Sequence, residues 1–220
     1  MSSDDLPPYF NLSPDAALKS LGDPETTMHD VVSRIEKDPN LVASILREMG
    51  HTVGVATTDD ARVGDEVLRV GDVAGGIAYL ETLPYYSGKV GAIGFCSGGR
   101  QTVIVASRLD IDAAVDCWGG RVVMAADQLT DRMPVAPIDM TADLRCPLLG
   151  IFGLDDQAPS PEEVDQHEAG RKAHGKTYKF HRYEGGRHGF IAVDRPSYRV
   201  EQAVDAWRKV FAWYDRHLSG

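Results

Sequence analysis

The sequence predicts an α/β fold, a mostly parallel sheet with helices on both faces, and three observations carry that prediction. Short apolar runs of strand length recur at 90–95, 113–118 and 147–153, and 177–183 reads as a fourth strand. Segments with helical periodicity alternate with them across short connections, the pattern of a sheet whose crossovers are helices. The 220 residues, 43% of them hydrophobic, are enough to bury one core. The chain is therefore read as a single domain over 1–220, with an atypical region over 1–50.

Taken in order, residues 1–27 are rich in Pro, Asp and Ser and read as coil with one short helix. Residues 28–49 carry apolar residues at helical spacing, broken at Asp38-Pro39, and HTVGVA (51–56) reads as a short strand. Over 65–83, Val67, Val70, Val73, Ile77 and Leu80 fall on one helical face. Gly75-Gly76 weakens that helix by roughly 1 kcal/mol per glycine, and the small residues there suit close packing on a sheet. VGAIGF (90–95) is a buried strand and SGGRQTVIVASRL a helix. AAVDCW (113–118) is the next strand. After an irregular stretch come PLLGIFG (147–153), a helix over PEEVDQHEAGRKAHG with a glycine end, and the strand TYKFHRY (177–183). RPSYRVEQAVDAWRKVFAWYDRHL (195–218) closes the chain as an amphipathic helix with Val200, Ala203, Val204, Trp207, Val210, Phe211 and Tyr214 on one face.

A formal net charge of −10 argues against nucleic acid or an anionic membrane as partner, since both call for clustered Lys and Arg. Three cysteines, Cys96, Cys117 and Cys146, form no CxxC pair and no zinc-type spacing, so neither a disulfide framework nor a metal site is expected. The N-terminus lacks a basic region followed by an apolar run, and no apolar stretch reaches the roughly 20 residues that span a bilayer. A reducing, cytoplasmic setting is expected, with thiols available for chemistry.

Residues 91–102, GAIGFCSGGRQT, join a predicted strand to a predicted helix and hold Cys96 between Gly94 and Gly98. This is the G-x-nucleophile-x-G pattern with a thiol in the nucleophile's place. The backbone of such a turn is strained. Side chains two residues to either side are expected to collide with the adjoining strand and helix, which glycine avoids. The turn lifts the thiol to the carboxyl end of the strand, where parallel sheets gather reactive groups. It aims the Ser97 N–H at the reaction centre as half of an oxyanion hole. The helix N-terminus behind Cys96 favours a thiolate.

Alone, GxCxG reads equally well as a structural cysteine in a β–α turn. Chain order separates the two readings, because a nucleophile elbow needs an acid and then a histidine, each on a loop after a later strand. FGLDDQAPS supplies Asp155 and Asp156 after the third apolar strand, and EGGRHGF supplies His188 after the fourth. Successive residues point apart, so only one aspartate can face His188. Asp156 is favoured and Asp155 is the alternative, while either also suits a turn ahead of Pro159. His181 lies within a strand. His167, His174 and His217 have charged neighbours and are expected in solvent, and His29 and His51 precede the elbow. Cys117 and Cys146 read as core thiols. Trp118, at the end of a strand, and Phe190, just after His188, are candidates for lining a substrate pocket and equally for ordinary core.

From about residue 65 to the C-terminus the chain resembles the dienelactone hydrolase (carboxymethylenebutenolidase) family of α/β-hydrolases. The resemblance rests on GDVAGGIAYLETLPYYSGKVGAIGFCSGGR, PLLGIFGLDDQAPSPEE, YEGGRHGF and the last helix with its DAW. By motif position it implies Cys96 as nucleophile, Asp156 as acid and His188 as base. The family also has strands ahead of this region, one ending in an H-E-x-(F/G)-G loop that supplies the second oxyanion N–H and a glutamate regulating the thiol. No such motif occurs in residues 1–50, so the start of the fold is expected to be lacking or diverged. An arginine that grips the substrate carboxylate lies four residues after the family's histidine, where this chain has Ala192.

Three functions follow as expectations. The first is hydrolysis of a small ester or lactone through Cys96, His188 and Asp156, with no metal or organic cofactor. The second is thioester or peptide-bond cleavage on the same scaffold. The third is a non-catalytic or incomplete relative that binds a small molecule or a partner chain. The expected assembly is a monomer or homodimer.

Overall fold

A computed structural model of the chain describes residues 53–54, 66–84, 86–193 and 195–219. The coil and helix expected over 1–49 lie outside the described residues, as do His29 and His51. Strand β1 (Val53–Gly54) is followed by helix α1 (Glu66–Glu81), β2 (Gly91–Phe95), α2 (Ser97–Arg108), β3 (Ala113–Cys117), β4 (Leu148–Gly153), α3 (Pro161–Ala173), β5 (Tyr178–Tyr183) and α4 (Val200–Leu218). The stretch between β3 and β4 contains short 3-10 turns at Ala126–Gln128 and Pro137–Asp143. All five strands are parallel and lie in sequence order. Each strand and helix read from the hydrophobic pattern within the described residues is present, to within a few residues at its ends.

Alternation along the central strands divides the core into two layers. Ile93, Ala113, Val115, Cys117, Leu149 and Ile151 face Ala203, Trp207, Val210 and Tyr214 of α4. On the opposite side Ala92, Ala114, Leu148 and Phe180 meet Val103, Val105 and Ala106 of α2 and Val73 and Ile77 of α1. Helices therefore cover both faces, which is why the inner strands read as near-continuous apolar runs. Helix α2 sits deepest, with every residue from Gly99 to Ser107 buried.

Expectations for the last helix and for two histidines need correction: His217, expected in solvent, is half-buried, with Nε2 shielded and its ring 4.4 Å from that of Trp213. The last helix begins at Val200, not Arg195. Ahead of it the chain turns back on the loop after β5: the Arg199 N–H donates to the Phe190 carbonyl at 2.8 Å and the Ser197 hydroxyl to the His188 carbonyl at 2.9 Å. Pro196, whose backbone cannot donate, suits a turn there as well as a first helical residue. His167 is not in solvent. It is 2% exposed, with its ring 6.2 Å from that of Phe152 and 4.9 Å from that of Phe180. Charged neighbours along α3 conceal a face that packs on the sheet.

Candidate active site

Parallel strands in register bring the ends of β2, β3, β4 and β5 to one edge. Phe95 pairs with Cys117, Cys117 with Ile151, and Gly153 with Tyr183. Residues just beyond those positions are gathered there whatever their distance in sequence.

Cys96 follows β2 directly and adopts φ 55°, ψ −120°, in the region that side chains rarely enter. Its N–H donates to the Cys117 carbonyl at 3.0 Å, which ties the turn to the next strand. The two glycines of the pattern have different reasons. A Cβ on Gly94 would fall on the Gly98 carbonyl and against the Thr102 hydroxyl, whereas a Cβ on Gly98 would meet nothing. The first turn of α2 therefore folds back over β2 and needs Gly94 bare. The expected collision at Gly98 does not occur.

The loops after β4 and β5 are bound to each other. Leu154 N–H donates to the Tyr183 carbonyl and Asp155 N–H to the Gly186 carbonyl, both at 2.9 Å. That places Asp156 against His188, with Oδ2 3.0 Å and Oδ1 3.3 Å from Nδ1. A carboxylate only accepts, so Nδ1 carries the proton and donates. Oδ1 also accepts the N–H groups of Gln157 at 2.7 Å and Ala158 at 3.0 Å. Asp156 is buried, while Asp155 is exposed and turned away. His188 also acts electrostatically on the Cys96 side chain, and with Nδ1 engaged by Asp156 its Nε2 is the nitrogen left for sulfur.

The electrostatics follow from these contacts. The hydrogen bond to His188 is the main influence lowering the Cys96 pKa, opposed by burial and assisted by the His188 charge, the Ser97 N–H and the Arg195 guanidinium. His188 is raised to about 10, first by its hydrogen bond to Asp156 and then by that to Cys96. Burial pushes Asp156 upward, but hydrogen bonds from His188 and the Ala158 and Gln157 N–H groups outweigh it and hold the carboxyl below its ordinary value. All three shifts favour the charged forms of Cys96, His188 and Asp156.

Aromatic rings form one side of the site. Trp118, at φ 43° just after β3, turns its ring edge-on to His188 at 6.3 Å between centroids. Phe190 has no exposed surface and backs Trp118 at 5.7 Å. Phe95, not singled out from sequence, is 38% exposed beside Cys96 and lies 5.6 Å from Trp118. An aromatic at the last position of β2, next to the elbow cysteine, was the available signal. Among the described residues no three His, Cys, Asp or Glu side chains converge as a metal site would require.

A parallel sheet with an elbow between strand and helix, then an acid loop and a histidine loop in that chain order, defines the α/β-hydrolase class. Residues 33–218 match the dienelactone hydrolase family, and the chain belongs to it. Among its relatives is a protein from Methylorubrum extorquens provisionally named carboxymethylenebutenolidase, 37% identical over 59% of this chain and 43% of that protein. Another, of the same provisional name from Synechocystis, is 33% identical over 67% of this chain and 58% of that one. The chain thus spans about half the length of the curated relatives it matches. A crystal structure of a provisionally named dienelactone hydrolase from Klebsiella pneumoniae superposes with a TM-score of 0.65 at 25% identity, over 70% of this chain and 62% of that one.

Proposed function

We propose that the protein hydrolyses small carboxylic esters or lactones, with Cys96 as nucleophile, His188 as acid–base and Asp156 as the group that orients the imidazole. The observation supporting this most directly is the Asp156–His188 hydrogen bond at the carboxyl edge of the sheet, with the imidazole acting on the Cys96 thiol beside it. The thiolate attacks the carbonyl carbon, and the developing oxyanion receives the Ser97 N–H. Imidazolium returns a proton to the leaving alkoxide, leaving a thioester on Cys96. His188 then takes a proton from water, hydroxide adds to the thioester, and the acid departs as the thiolate re-forms. Asp156 keeps the proton on Nδ1 and balances the imidazolium charge throughout. Trp118 and Phe95 offer an apolar wall for the acyl group, with Phe190 as support.

Family membership and the names of the relatives place enol lactones on the substrate panel beside simple esters. Ala192 offers no cation to a substrate carboxylate, so an uncharged ester is the better first choice. No helix among the described residues is long and apolar enough to cross a membrane, and a reducing cytoplasm suits a chain that depends on a free thiol. The test is turnover of p-nitrophenyl acetate, p-nitrophenyl butyrate and small lactones by wild type and Cys96→Ala. Loss of turnover to the buffer rate in the variant is expected. Equal turnover by both, or none by either alongside a slow-reacting Cys96, would favour a binding protein on the same scaffold.

A further inference from the structure

Behind the elbow, on the face of the sheet away from α4, lies a buried polar cluster that the proposed chemistry does not use. Asp116 of β3 has no solvent exposure, and its Oδ1 accepts the Gly119 N–H at 2.8 Å. Its Oδ2 has no hydrogen-bond partner and lies 4.0 Å from Nδ1 of His167 on α3. His167 Nε2 is 2.7 Å from the Arg171 guanidinium, which also donates to the Thr141 hydroxyl at 2.8 Å. A guanidinium only donates, so His167 Nε2 accepts, and in the neutral ring the proton sits on Nδ1 facing Asp116. Arg171 is wholly buried and needs a counter-charge, and Asp116 is the acid of this cluster. Burial raises Asp116 to about 7, opposed by the Gly119 N–H and the Arg171 charge. Burial, then Arg171, drives His167 far down, which keeps it neutral between them.

The other end of Asp116 touches the site's framework. A Cβ on Gly99, in the first turn of α2, or on Gly119 would strike Oδ1. The carboxylate is thus wedged between the start of the elbow helix and the turn after β3. That turn holds two residues at positive φ, Trp118 at 43° and Arg121 at 60°, and the Arg100 guanidinium holds the Arg121 carbonyl. Unsupported, such a backbone would relax.

We propose that Asp116 is a positioning residue: its carboxylate, which faces His167 and feels the Arg171 charge, pins the 118–121 turn and so sets Trp118 against the ring of His188. The inference rests on the reading of His188 as the partner of Cys96, but its readout does not require ester turnover. In Asp116→Asn an amide NH₂ opposes either Gly119 N–H or His167 Nδ1–H. Arg171→Gln leaves the carboxylate without its counter-charge.

The test is the pH profile of Cys96 alkylation by iodoacetamide, read at residue level by mass spectrometry, with circular dichroism to check folding. The groups acting on Cys96 are His188, the Ser97 N–H and Arg195. Both variants are expected to move the alkylation midpoint upward by about 0.5 pH unit or more, because both loosen Trp118 on His188. If the protein turns over p-nitrophenyl acetate, kcat should fall about tenfold with KM nearly unchanged. A plain field effect would move the two variants in opposite directions, Asp116→Asn downward and Arg171→Gln upward, and that outcome would overturn the proposal. So would a lowered melting temperature with an unchanged profile in both. Should either variant not fold, nitrogen NMR of wild-type His167 decides: a neutral Nδ1–H ring between pH 6 and 9 is expected, and an Nε2–H or cationic ring would defeat the proposal. An inactive wild type with the expected alkylation shifts would sink the hydrolase reading and leave this one standing.

Discussion

In the proposed reaction Cys96, His188 and Asp156 set the reactivity of the site, and substitutions of His188 and Asp156 test it. His188→Ala removes the largest influence lowering the Cys96 thiol, so its alkylation midpoint should rise toward the ordinary value of about 8.5. A midpoint unchanged by the substitution would mean that the helix N-terminus alone activates the sulfur. Asp156→Asn keeps the shape but lets the ring adopt the wrong tautomer, and kcat for a good ester should fall by up to about 10⁴. The stability linkage has opposite signs at the two residues. His188, raised to about 10, contributes stability that is complete below its unfolded value of about 6.5 and is lost as pH climbs through 10. Asp156, held low, contributes stability present above its unfolded value of about 4 and lost as pH falls. The pair therefore stabilises the fold most between about pH 4 and 6.5, and urea midpoints measured across pH should decline on both sides.

At the scale of the element, the strand-to-helix turn makes an asymmetric demand. Gly94→Ala puts a methyl group on the Gly98 carbonyl and should cost about 3 kcal/mol or more, whereas Gly98→Ala, with open space around it, should stay within about 0.5 kcal/mol. Urea titrations of the two variants check this, and equal costs would mean that the turn is held otherwise. At α3, Ser160 caps the helix by accepting the Glu163 N–H while Glu163 accepts the Ser160 N–H; Ser160→Ala should cost about 1 kcal/mol. These elements were legible in the sequence because their signals are local. The pattern GFCSG, the PEEVDQHEAGRKAHG segment and the apolar runs each specify their own backbone. What was not legible depends on the assembled layers. His167 reads as a surface residue until Phe152 and Phe180 are brought beneath it, and 195–199 reads as helix until its bonds to Phe190 and His188 are seen. Likewise Asp155 and Asp156 could be ranked but not separated from sequence, since the choice is made by which carboxylate the Leu154–Tyr183 and Asp155–Gly186 bonds turn inward.

For the whole molecule, the three cysteines sample three environments and can report on how the layers hold together. Cys96 is exposed, Cys117 lies between the sheet and α4, and Cys146 belongs to the layer under α2. Burial, with Asp116 adding to it, pushes the Cys117 thiol far above its ordinary value, and burial raises Cys146 to about 12. Neither is reactive as a thiolate in the native state at neutral pH. A disulfide reagent should therefore label one thiol per chain quickly and the other two only as the molecule opens. Because β2, β3 and β4 contribute side chains to both layers, loss of either layer strips one face of the same strands. The sheet cannot then remain buried on the other face alone. Cys117 and Cys146 should become reactive at the same denaturant concentration and with the same urea dependence. If Cys117 is labelled at lower urea than Cys146, α4 detaches as a separate unit, and the site, which draws Ser197 and Arg199 from the approach to that helix, would lose the support of His188 before the sheet unfolds.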